Sequence, residues 1–495
     1  EIMPSLVGSE MCIRDSARGG TDRFVLELPT GYGKTSTGPL LFRAFREAGL
    51  CWKAIHVFPL RAVLHKTLKE YVSKYSDISF TYQDGDVTLT EQGYVKSADF
   101  SIGDYVLTTV DSFIHNLFKA PVSELHRIAG RSRAIHYHVP FANIYPSCVF
   151  FDEAHISALE ESGKASAALE VAVSVLAEAH VPVVVMSATM GAWKKKLFRG
   201  FKFVQLGSRD REDSDTIYVH DTEFERCVSK IRYTVRKINL ENVAEIAKRK
   251  VKEGKRVLIV YNNLGEAADL ARKLGGVLIH SRLTRTDRQK AENELAKADI
   301  VVGTSAIEAG VDVSFDVLIS SADAPESVIQ RVGRVCRKVD CNECQGEIYI
   351  FGEQADMFLP IKQWRLPYME GSYISLLRSE INRDAGIAWL LGELSKFIYI
   401  PPDVLKKVFI KAGMSYVRSA LVEACADESC KPESAFPVSL DKANELPIDK
   451  IYINGTFEKP PKEYNISWLV SAVEKYGDFP KLVLKCYVEG LGPFC

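Results

Sequence analysis

The stretch Phe150-Phe151-Asp152-Glu153-Ala154-His155 places two acidic residues directly after an apolar run. Buried carboxylates are costly unless they bind something, and open α/β sheets bind ligands at the carboxyl ends of their strands. Upstream, a strand-like run leads into Pro29-Thr30-Gly31-Tyr32-Gly33-Lys34-Thr35. Glycines in such a loop allow backbone N–H groups to face an anion. The two stretches together predict an α/β protein that is driven by a nucleotide.

The cofactors predicted from these stretches are ATP and Mg²⁺. The loop residues expected to contact them are Thr30, Gly31, Gly33, Lys34 and Thr35. Lys34 would reach the outer phosphates, and the Thr35 hydroxyl would bind Mg²⁺. The loop departs from the complete pattern, since Leu28 stands where the first glycine is expected, and glycine-rich turns also occur without nucleotides.

The acidic residues have separate predicted roles. Asp152 is expected to hold the same Mg²⁺ through water, and Glu153 to polarise the attacking water. The alternative is that the acids only begin a helix, where they favour its dipole. One strand later, Ser187 and Thr189 lie where two hydroxyls could relay the hydrolysis state.

The bulk composition is that of an ordinary globular protein. The chain has 495 residues, of which 46% are hydrophobic and 26% charged, so two to four domains are expected. No apolar run is long enough to predict a membrane span. The net charge of −1 means that any nucleic-acid groove is a local feature. The 11 cysteines lack the density of a disulfide scaffold, and a cytoplasmic location is expected.

Short β-rich runs alternate with helical patterns in two series, which is typical of parallel sheets with crossover helices. The first series predicts strands at 23–28, 53–58, 105–109, 147–151, 181–186 and 202–206. The second predicts strands at 256–261, 276–280, 299–303, 316–320 and 346–351. The predicted organisation is a non-native or disordered segment 1–20, an ATP-binding domain 21–206, a linker 207–226, a second α/β domain 227–352 and a mainly helical accessory region 353–495.

The second series carries motifs of its own. A Val302-Gly303-Thr304-Ser305 stretch leads to 308–312, and Gln330 to Arg337 follows. Arg334 and Arg337 lie three residues apart and would share one face of a helix. Arginines from a second domain can stabilise charge on the γ-phosphate. Gln330 is predicted to be a catalytic residue together with Arg334 and Arg337. The alternative is a solvated basic helix face.

Together these motifs resemble a superfamily 2 helicase with a DEAH-type motor, over about residues 23–337. More narrowly, the chain resembles the CRISPR-associated helicase of type I interference systems, through Ile279-His280-Ser281-Arg282, the 304–312 stretch and the 314–330 stretch. The resemblance implies two tandem RecA-like parallel-sheet domains that bind single-stranded DNA and translocate 3′ to 5′. It also implies that Gly310 and Asp312 contact the nucleotide, and that a surveillance complex with guide RNA is a partner.

By the same resemblance, a set of loop residues should contact the DNA backbone without reading sequence. They are Pro59, Arg61, Thr108, Thr109, His280, Ser281, Arg282 and Thr304. The alternative is ordinary strand-end loop chemistry. Many members of the family carry an HD nuclease ahead of the motor. The only His-Asp pair here is His220-Asp221, so a separate HD nuclease chain is expected as a partner.

Three further hypotheses remain open from the sequence. Cys336, Cys341 and Cys344, with Cys425 and Cys430, could bind zinc, form disulfides or remain inert thiols. The motor could instead serve as an RNA or DNA-repair helicase outside CRISPR. A non-catalytic scaffold that binds nucleic acid is the rival of another class.

Overall fold

The structure is a computed structural model. It describes residues 13, 20–84, 88–118, 138–159, 163–207, 214–308, 313–337, 342–382, 386, 388 and 420–494. The chain divides into two compact units that each draw on separate parts of the sequence. The loop unit, named for the glycine loop 29–35, contains residues 25–37 and 187–380. The acid unit, named for Asp152 and Glu153, contains residues 38–186 and those from 381 onward.

The strands follow the two predicted series closely. Those of the first series are β1 (Arg23–Glu27), β2 (Lys53–Phe58), β3 (Phe80–Gln83), β4 (Tyr105–Thr109), β5 (Ser147–Phe151), β6 (Val183–Ser187), β7 (Lys202–Leu206) and β8 (Thr216–Val219). Those of the second are β9 (Ile231–Lys237), β10 (Val257–Val260), β11 (Val277–Ile279), β12 (Ile300–Gly303), β13 (Val317–Ser321) and β14 (Cys344–Phe351). β3 and β9 were not predicted, and β8 lies inside the predicted linker.

In the acid unit, neighbouring strands run in the order β3-β4-β2-β5-β6. They pair in parallel, with Val57 opposite both Thr108 and Phe151. The strands β2, β4 and β5 are fully or almost fully buried, because helices cover parallel sheets on both faces. The register brings the residues that follow β2, β4 and β5 to one edge, which is where this unit carries its polar side chains.

In the loop unit, β1, β7 and β8 are successive neighbours, and a six-stranded parallel sheet has the order β11-β12-β10-β13-β14-β9. Val260 pairs with Gly303, and Ile279 also pairs with Gly303. The loops after β10, β11 and β12 therefore leave the sheet at the same edge. Apolar side chains of these strands form a buried core with the helix Pro325–Val332. Parallel α/β sheets with this alternation confirm the predicted α/β fold.

The described part of the C-terminal region differs from the prediction. Its strands β15 (Leu421–Cys425), β16 (Ala435–Ser439), β17 (Ile448–Ile453), β18 (Thr456–Glu458) and β19 (Lys481–Leu484) form a mostly antiparallel sheet. One helix, Ile466–Tyr476, packs on it through Leu469, Val470 and Val473. The expectation of a mainly helical region is therefore wrong for residues 420–494, where apolar residues alternate at strand spacing, and the residues from 389 to 419 lie outside the described ranges.

The helices connect these strands as crossovers or short turns. Among the described residues, the α-helices are Lys34–Glu47, Arg61–Lys74, Thr88–Glu91, Val110–Leu117, His138–Ile144, His155–Ala158, Lys164–Glu178, Lys194–Leu197, Thr222–Val228, Val243–Lys252, Leu264–Leu274, Arg285–Glu294, Pro325–Val332, Leu440–Ala443 and Ile466–Tyr476. Short 3₁₀ helices span Leu240–Asn242, Ser305–Ile307, Ala355–Phe358, Tyr373–Leu376 and Pro432–Ser434. In the part of the chain that the structure describes, no helix is long and apolar enough to cross a membrane.

Candidate nucleotide and DNA sites

The loop after β1 has the backbone of a phosphate cradle. Gly31 and Gly33 have φ angles of +82° and +95°, which side chains with a Cβ rarely adopt, so both positions require glycine. The 14-residue helix Lys34–Glu47 begins directly after the loop, and its N-terminal N–H groups favour an anion. The geometry therefore fits nucleotide phosphates despite the missing first glycine.

The Lys34 side chain folds back onto the backbone at the start of this loop. Its Nζ donates to the carbonyl oxygens of Leu28 at 3.0 Å and Pro29 at 3.2 Å, and the residue is 6% exposed. Thr35 follows as the second residue of the helix. An arriving phosphate would compete with these two carbonyls for the ammonium group.

Tyr32 connects the phosphate loop to the segment 207–226, which the sequence predicts to be a linker. Its hydroxyl donates to Oδ2 of Asp221 at 3.1 Å, and its ring meets that of Phe224 edge-on. Oδ1 of Asp221 also accepts from the backbone N–H of Phe224, so this aspartate caps the helix Thr222–Val228. The aspartate of the His220-Asp221 pair is therefore occupied by structural bonds.

The acidic stretch ends β5 in the acid unit. Asp152 is 2% exposed, its N–H donates to the Val57 carbonyl, and its Oδ1 accepts from the N–H of Glu153 at 2.9 Å. The short helix that follows has Ala154 as its N-cap, with no side-chain capping bond. The N-cap position of this helix is therefore occupied by Ala154 and not by either acid.

Glu153 has an unusual backbone conformation and a carboxylate oxygen without a hydrogen bond among the described residues. Its φ is +44°, which is rare for a residue with a side chain, and such backbone strain concentrates at functional sites. Among the described residues, its buried Oε2 accepts no hydrogen bond, although Nδ1 of His155 lies 3.4 Å away. An unsatisfied buried carboxylate oxygen is the acceptor that an activated water molecule needs. Asp152 and Glu153 therefore have the donor set that hydrated Mg²⁺ and a water nucleophile require.

His56 is a residue near this site that sequence reasoning missed. It lies on β2, fully buried, with Nε2 3.9 Å from Oδ2 of Asp152 and a hydrogen bond of 2.8 Å between Nδ1 and the Tyr105 hydroxyl. Burial lowers the pKa of His56 to about 3, so its imidazole is neutral at physiological pH. The signal in the sequence was a lone histidine inside the apolar run Lys53–Phe58.

Ser187 and Thr189, whose hydroxyls are predicted to relay the hydrolysis state, differ in their hydrogen bonds. Oγ of Ser187 accepts from the N–H of Thr189 at 3.2 Å and forms a local turn. Oγ1 of Thr189 is buried and has no hydrogen-bond partner among the described residues. Thr189 is thus the one of the two with an unused donor.

Four predicted DNA contacts lie at one edge of the acid unit. Pro59 and Arg61 follow β2, and the helix Arg61–Lys74 begins at the arginine. Thr108 and Thr109 end β4, but their hydroxyls already have partners. Oγ1 of Thr108 donates to the Gln83 carbonyl at 2.8 Å, and Thr109 caps the helix Val110–Leu117.

The other four predicted DNA contacts lie in the loop unit. His280, Ser281 and Arg282 follow β11, and Thr304 follows β12 at the same level. Nδ1 of His280 accepts from the N–H of Arg282 at 3.0 Å, which holds the turn. The sheet register thus brings these two stretches together at one edge.

Gln330 lies on the helix Pro325–Val332, but the two predicted arginine fingers follow it. The helix ends at Val332, so the argument that Arg334 and Arg337 share a helix face is wrong. Gly333 and the strained Cys336, with φ of +50°, turn the chain instead. Arg334 donates to the Glu308 carbonyl, whereas Nε2 of the buried Gln330 has no partner among the described residues.

Arg331 is a structural residue between these candidates. It is fully buried, and its guanidinium bonds to Oε1 of Glu308 at 2.8 Å and Oδ2 of Asp323 at 2.5 Å. Burial raises the pKa of Glu308 above its ordinary value, although Arg331 acts in the opposite direction. Gly310 and Asp312, the remaining predicted nucleotide contacts, lie outside the described residues.

Four of the cysteines singled out in the sequence are paired in disulfides. Cys336 forms a disulfide with Cys344, and Cys425 forms one with Cys430. Cys341 lies outside the described residues. Within the described ranges, no group of three or more His, Cys, Asp and Glu side chains is arranged to hold a metal ion.

Two family models match the chain. The model for "CRISPR-associated nuclease/helicase Cas3, C-terminal" matches residues 253–340, and that for "Type III restriction enzyme, res subunit" matches residues 11–191. Among curated proteins, the CRISPR-associated helicase Cas3 of Thermoproteus tenax is 25% identical over 351 residues, covering 68% of this chain and 57% of the relative. The CRISPR-associated nuclease/helicase Cas3 of Streptococcus thermophilus is 26% identical over 271 residues, covering 48% of this chain and 27% of the relative. The chain thus spans only part of the length of these relatives.

Solved structures share the fold at low identity. The crystal structure of T. fusca Cas3 has a TM-score of 0.60 at 14% identity and covers 98% of this chain and 67% of its own. The same protein bound to AMPPNP has a TM-score of 0.56 at 16% identity, covering 86% and 63%. A chain in a CRISPR RNA-guided surveillance complex before nicking has a TM-score of 0.55 at 14% identity, covering 98% and 67%.

Proposed function

We propose that this chain, a superfamily 2 helicase of the CRISPR-associated type, uses ATP and Mg²⁺ to translocate along single-stranded DNA and unwind target DNA in type I CRISPR defence. The observation that carries the proposal is Glu153. It combines a strained φ of +44°, a buried Oε2 without a hydrogen bond in the described part of the chain, and a position directly after Asp152 at a strand end. Strain and an unsatisfied carboxylate are costly, and a catalytic role explains why both are retained.

The proposed ATPase residues of each unit have a separate task. In the loop unit, the N–H groups of the glycine loop and the ammonium of Lys34 bind phosphates, and Thr35 offers a hydroxyl to Mg²⁺. In the acid unit, Asp152 binds the hydrated metal and Glu153 accepts a proton from the attacking water. Mg²⁺, when bound, neutralises charge on the β- and γ-phosphate oxygens.

The DNA path is proposed to follow the edges that carry the hydroxyl and arginine residues in each unit. Arg61 follows β2, and Thr108 lies at the buried end of β4, where its hydroxyl would have to exchange its bond to Gln83 for one to DNA. The loops after β11 and β12 supply Arg282 and Thr304. Contacts of this kind bind a backbone and position a strand without reading bases. Movement from 3′ to 5′, a surveillance complex with guide RNA and a separate HD nuclease chain belong to the same proposal.

ATP hydrolysis stimulated by single-stranded DNA is the measurement that tests this function. We expect Glu153→Gln to lower the turnover number at least about 100-fold, the range typical of a lost general base, while ATP binding is retained. Glu178→Gln is the matched control, because Glu178 is exposed at the end of the helix Lys164–Glu178. Equal turnover in the wild type and in a folded Glu153→Gln protein would refute the catalytic assignment.

The nucleic-acid specificity is tested by comparing single-stranded DNA and RNA of the same sequence. DNA should stimulate hydrolysis more strongly, since contacts to 2′-hydroxyls are what let a protein prefer RNA. Stronger stimulation by RNA would favour an RNA helicase. No hydrolysis with either would leave a binding scaffold as the better description.

A further inference from the structure

Arg365 is a fully buried arginine in the segment that follows β14, and no motif of the sequence pointed to it. The residue is 1% exposed. Its Nη1 donates to the carbonyl oxygen of Thr30 at 3.0 Å, and its Nη2 donates to those of Val335 at 2.9 Å and Cys336 at 3.0 Å. Its Nε donates to the Tyr233 hydroxyl at 3.0 Å. One guanidinium thus joins the phosphate loop to the turn that precedes Arg337.

The charge of Arg365 has no counter-ion among the described residues. All four acceptors are neutral, three carbonyls and one hydroxyl. Arg331, also fully buried, shows the usual alternative, because it forms ion pairs with Glu308 and Asp323. Burying a guanidinium without a carboxylate is unfavourable, so an arginine retained in this state needs another explanation.

The bond to Thr30 fixes the orientation of one peptide group in the loop. Every described peptide bond is trans, so the Thr30 carbonyl and the Gly31 N–H point in opposite directions. Because the carbonyl points to Arg365, the Gly31 N–H points away from it. A charge-assisted bond to a carbonyl also polarises the peptide and makes its N–H a stronger donor.

The limited space around Gly31 favours the same arrangement of Gly31 and Arg365. A Cβ at Gly31 would lie 3.3 Å from Nη1 of Arg365, so this position has little room for a side chain. The φ of +82° at Gly31 excludes side chains for a second reason. Arg365 and Gly31 are therefore matched in both shape and conformation.

We propose that Arg365 is a positioning residue that orients the Thr30–Gly31 peptide so that its N–H faces the nucleotide phosphates. It also ties that orientation to the Val335–Cys336 turn, so the loop adopts its binding geometry only when the turn is in place. This inference rests on the proposed nucleotide binding. It predicts that Arg365 affects nucleotide affinity through the geometry of its two-pronged guanidinium as well as through its charge.

Equilibrium binding of a fluorescent ADP analogue with Mg²⁺ tests the inference. We expect Arg365→Gln to weaken binding at least tenfold and to raise the KM for ATP by a similar factor. Arg365→Lys keeps the charge but cannot donate to Thr30, Val335 and Cys336 from one planar group. It should restore only part of the affinity. Arg378→Gln is the matched control, since Arg378 lies in the same segment, partly exposed beside Glu326.

Each outcome is decisive. Wild-type affinity in a folded Arg365→Gln protein overturns the inference while leaving the proposed function intact. Full recovery in Arg365→Lys overturns the orienting role and leaves a role for charge alone. If the wild type binds no nucleotide, the proposed function fails and the inference fails with it. If Arg365→Gln does not fold, the incomplete recovery expected of Arg365→Lys decides the question, with binding of single-stranded DNA as its check of folding.

Discussion

Nε2 of His56 lies 3.9 Å from Oδ2 of Asp152, and both side chains are almost completely buried. The imidazole is neutral because burial lowers the pKa of His56 to about 3. A neutral ring can sit beside the carboxylate and fill space in the sheet without neutralising it. In the proposed site, the imidazole would therefore not compete with Mg²⁺ for Asp152.

The first prediction concerns the pH dependence of stability. Below about pH 6.5 the unfolded chain protonates His56 whereas the folded chain does not, so its contribution to the free energy of unfolding falls as pH falls. The loss should approach about 1.4 kcal/mol per pH unit until the pH nears the folded pKa. The unfolded His56→Gln variant cannot take up this proton. Its free energy of unfolding, measured with urea, should therefore fall less steeply as the pH is lowered. Parallel slopes in the two proteins would contradict the prediction.

Lys34→Ala should abolish most DNA-stimulated ATP hydrolysis. The variant loses the ammonium that binds the outer phosphates, and we expect a decrease of at least about 100-fold, similar to the loss of one key transition-state donor. The loss of two bonds to carbonyls should cost about 1–3 kcal/mol of stability and leave the chain folded. Lys248→Ala, at an exposed position of the helix Val243–Lys252, is the control. Unchanged hydrolysis in Lys34→Ala would mean that the loop does not bind the transferred phosphate.

Arg337→Ala should also remove most hydrolysis without unfolding the loop unit. The backbone N–H of Arg337 donates to Oγ of Ser314 at 3.0 Å, so the turn keeps this bond when the side chain is lost. An arginine finger can contribute about 10³-fold or more to turnover. The exposed Arg232 on β9 supplies the control variant Arg232→Ala. Near wild-type turnover in a folded Arg337→Ala protein would remove the finger assignment.

Arg331 should behave in the opposite way, as a determinant of stability. Arg331→Met leaves Glu308 and Asp323 without their buried cation, which typically costs about 3–5 kcal/mol. We expect a large decrease in the urea midpoint and in soluble yield. A stable Arg331→Met protein with a specific defect in hydrolysis would show that the arginine acts on the nucleotide.

No stoichiometric zinc should accompany the purified protein. Cys336 and Cys344 are paired with each other, and so are Cys425 and Cys430, which removes four of the five proposed ligands. Elemental analysis should be made before and after reduction. One zinc per chain, lost in Cys341→Ser, would contradict the expectation.

The sequence predicted the strands well where apolar runs are short and bounded by turns. β2, β4, β5 and β7 have the predicted bounds, because each is a short, largely apolar run that ends abruptly. β9 was missed since four of its seven residues are charged or polar and its residues are only half-buried or exposed, as expected at a sheet edge. The C-terminal strands were missed because runs of three to six residues are too short for their partial alternation to be distinguished from a helical pattern.

The site was predictable in its residue types but not in its supporting contacts. Lys34, Asp152 and Glu153 follow from motif chemistry. His56 and Arg365 act through distant partners, such as Asp152 and Thr30, and no local pattern encodes a contact between residues 30 and 365. The positive φ of Glu153 is likewise imposed by the surrounding structure, since no propensity of glutamate favours it.

The position of β9 has a consequence for synthesis on the ribosome. This strand is the first of its sheet to be made, but its partner is β14, and Ile231 pairs with Cys344 at the far end of the domain sequence. Parallel pairing over such a separation is slow, because a long loop must close before any bond forms. β9 therefore emerges with unpaired N–H and C=O groups and waits until the rest of the sheet has been translated. During that interval its open edge can pair with other chains or bind chaperones.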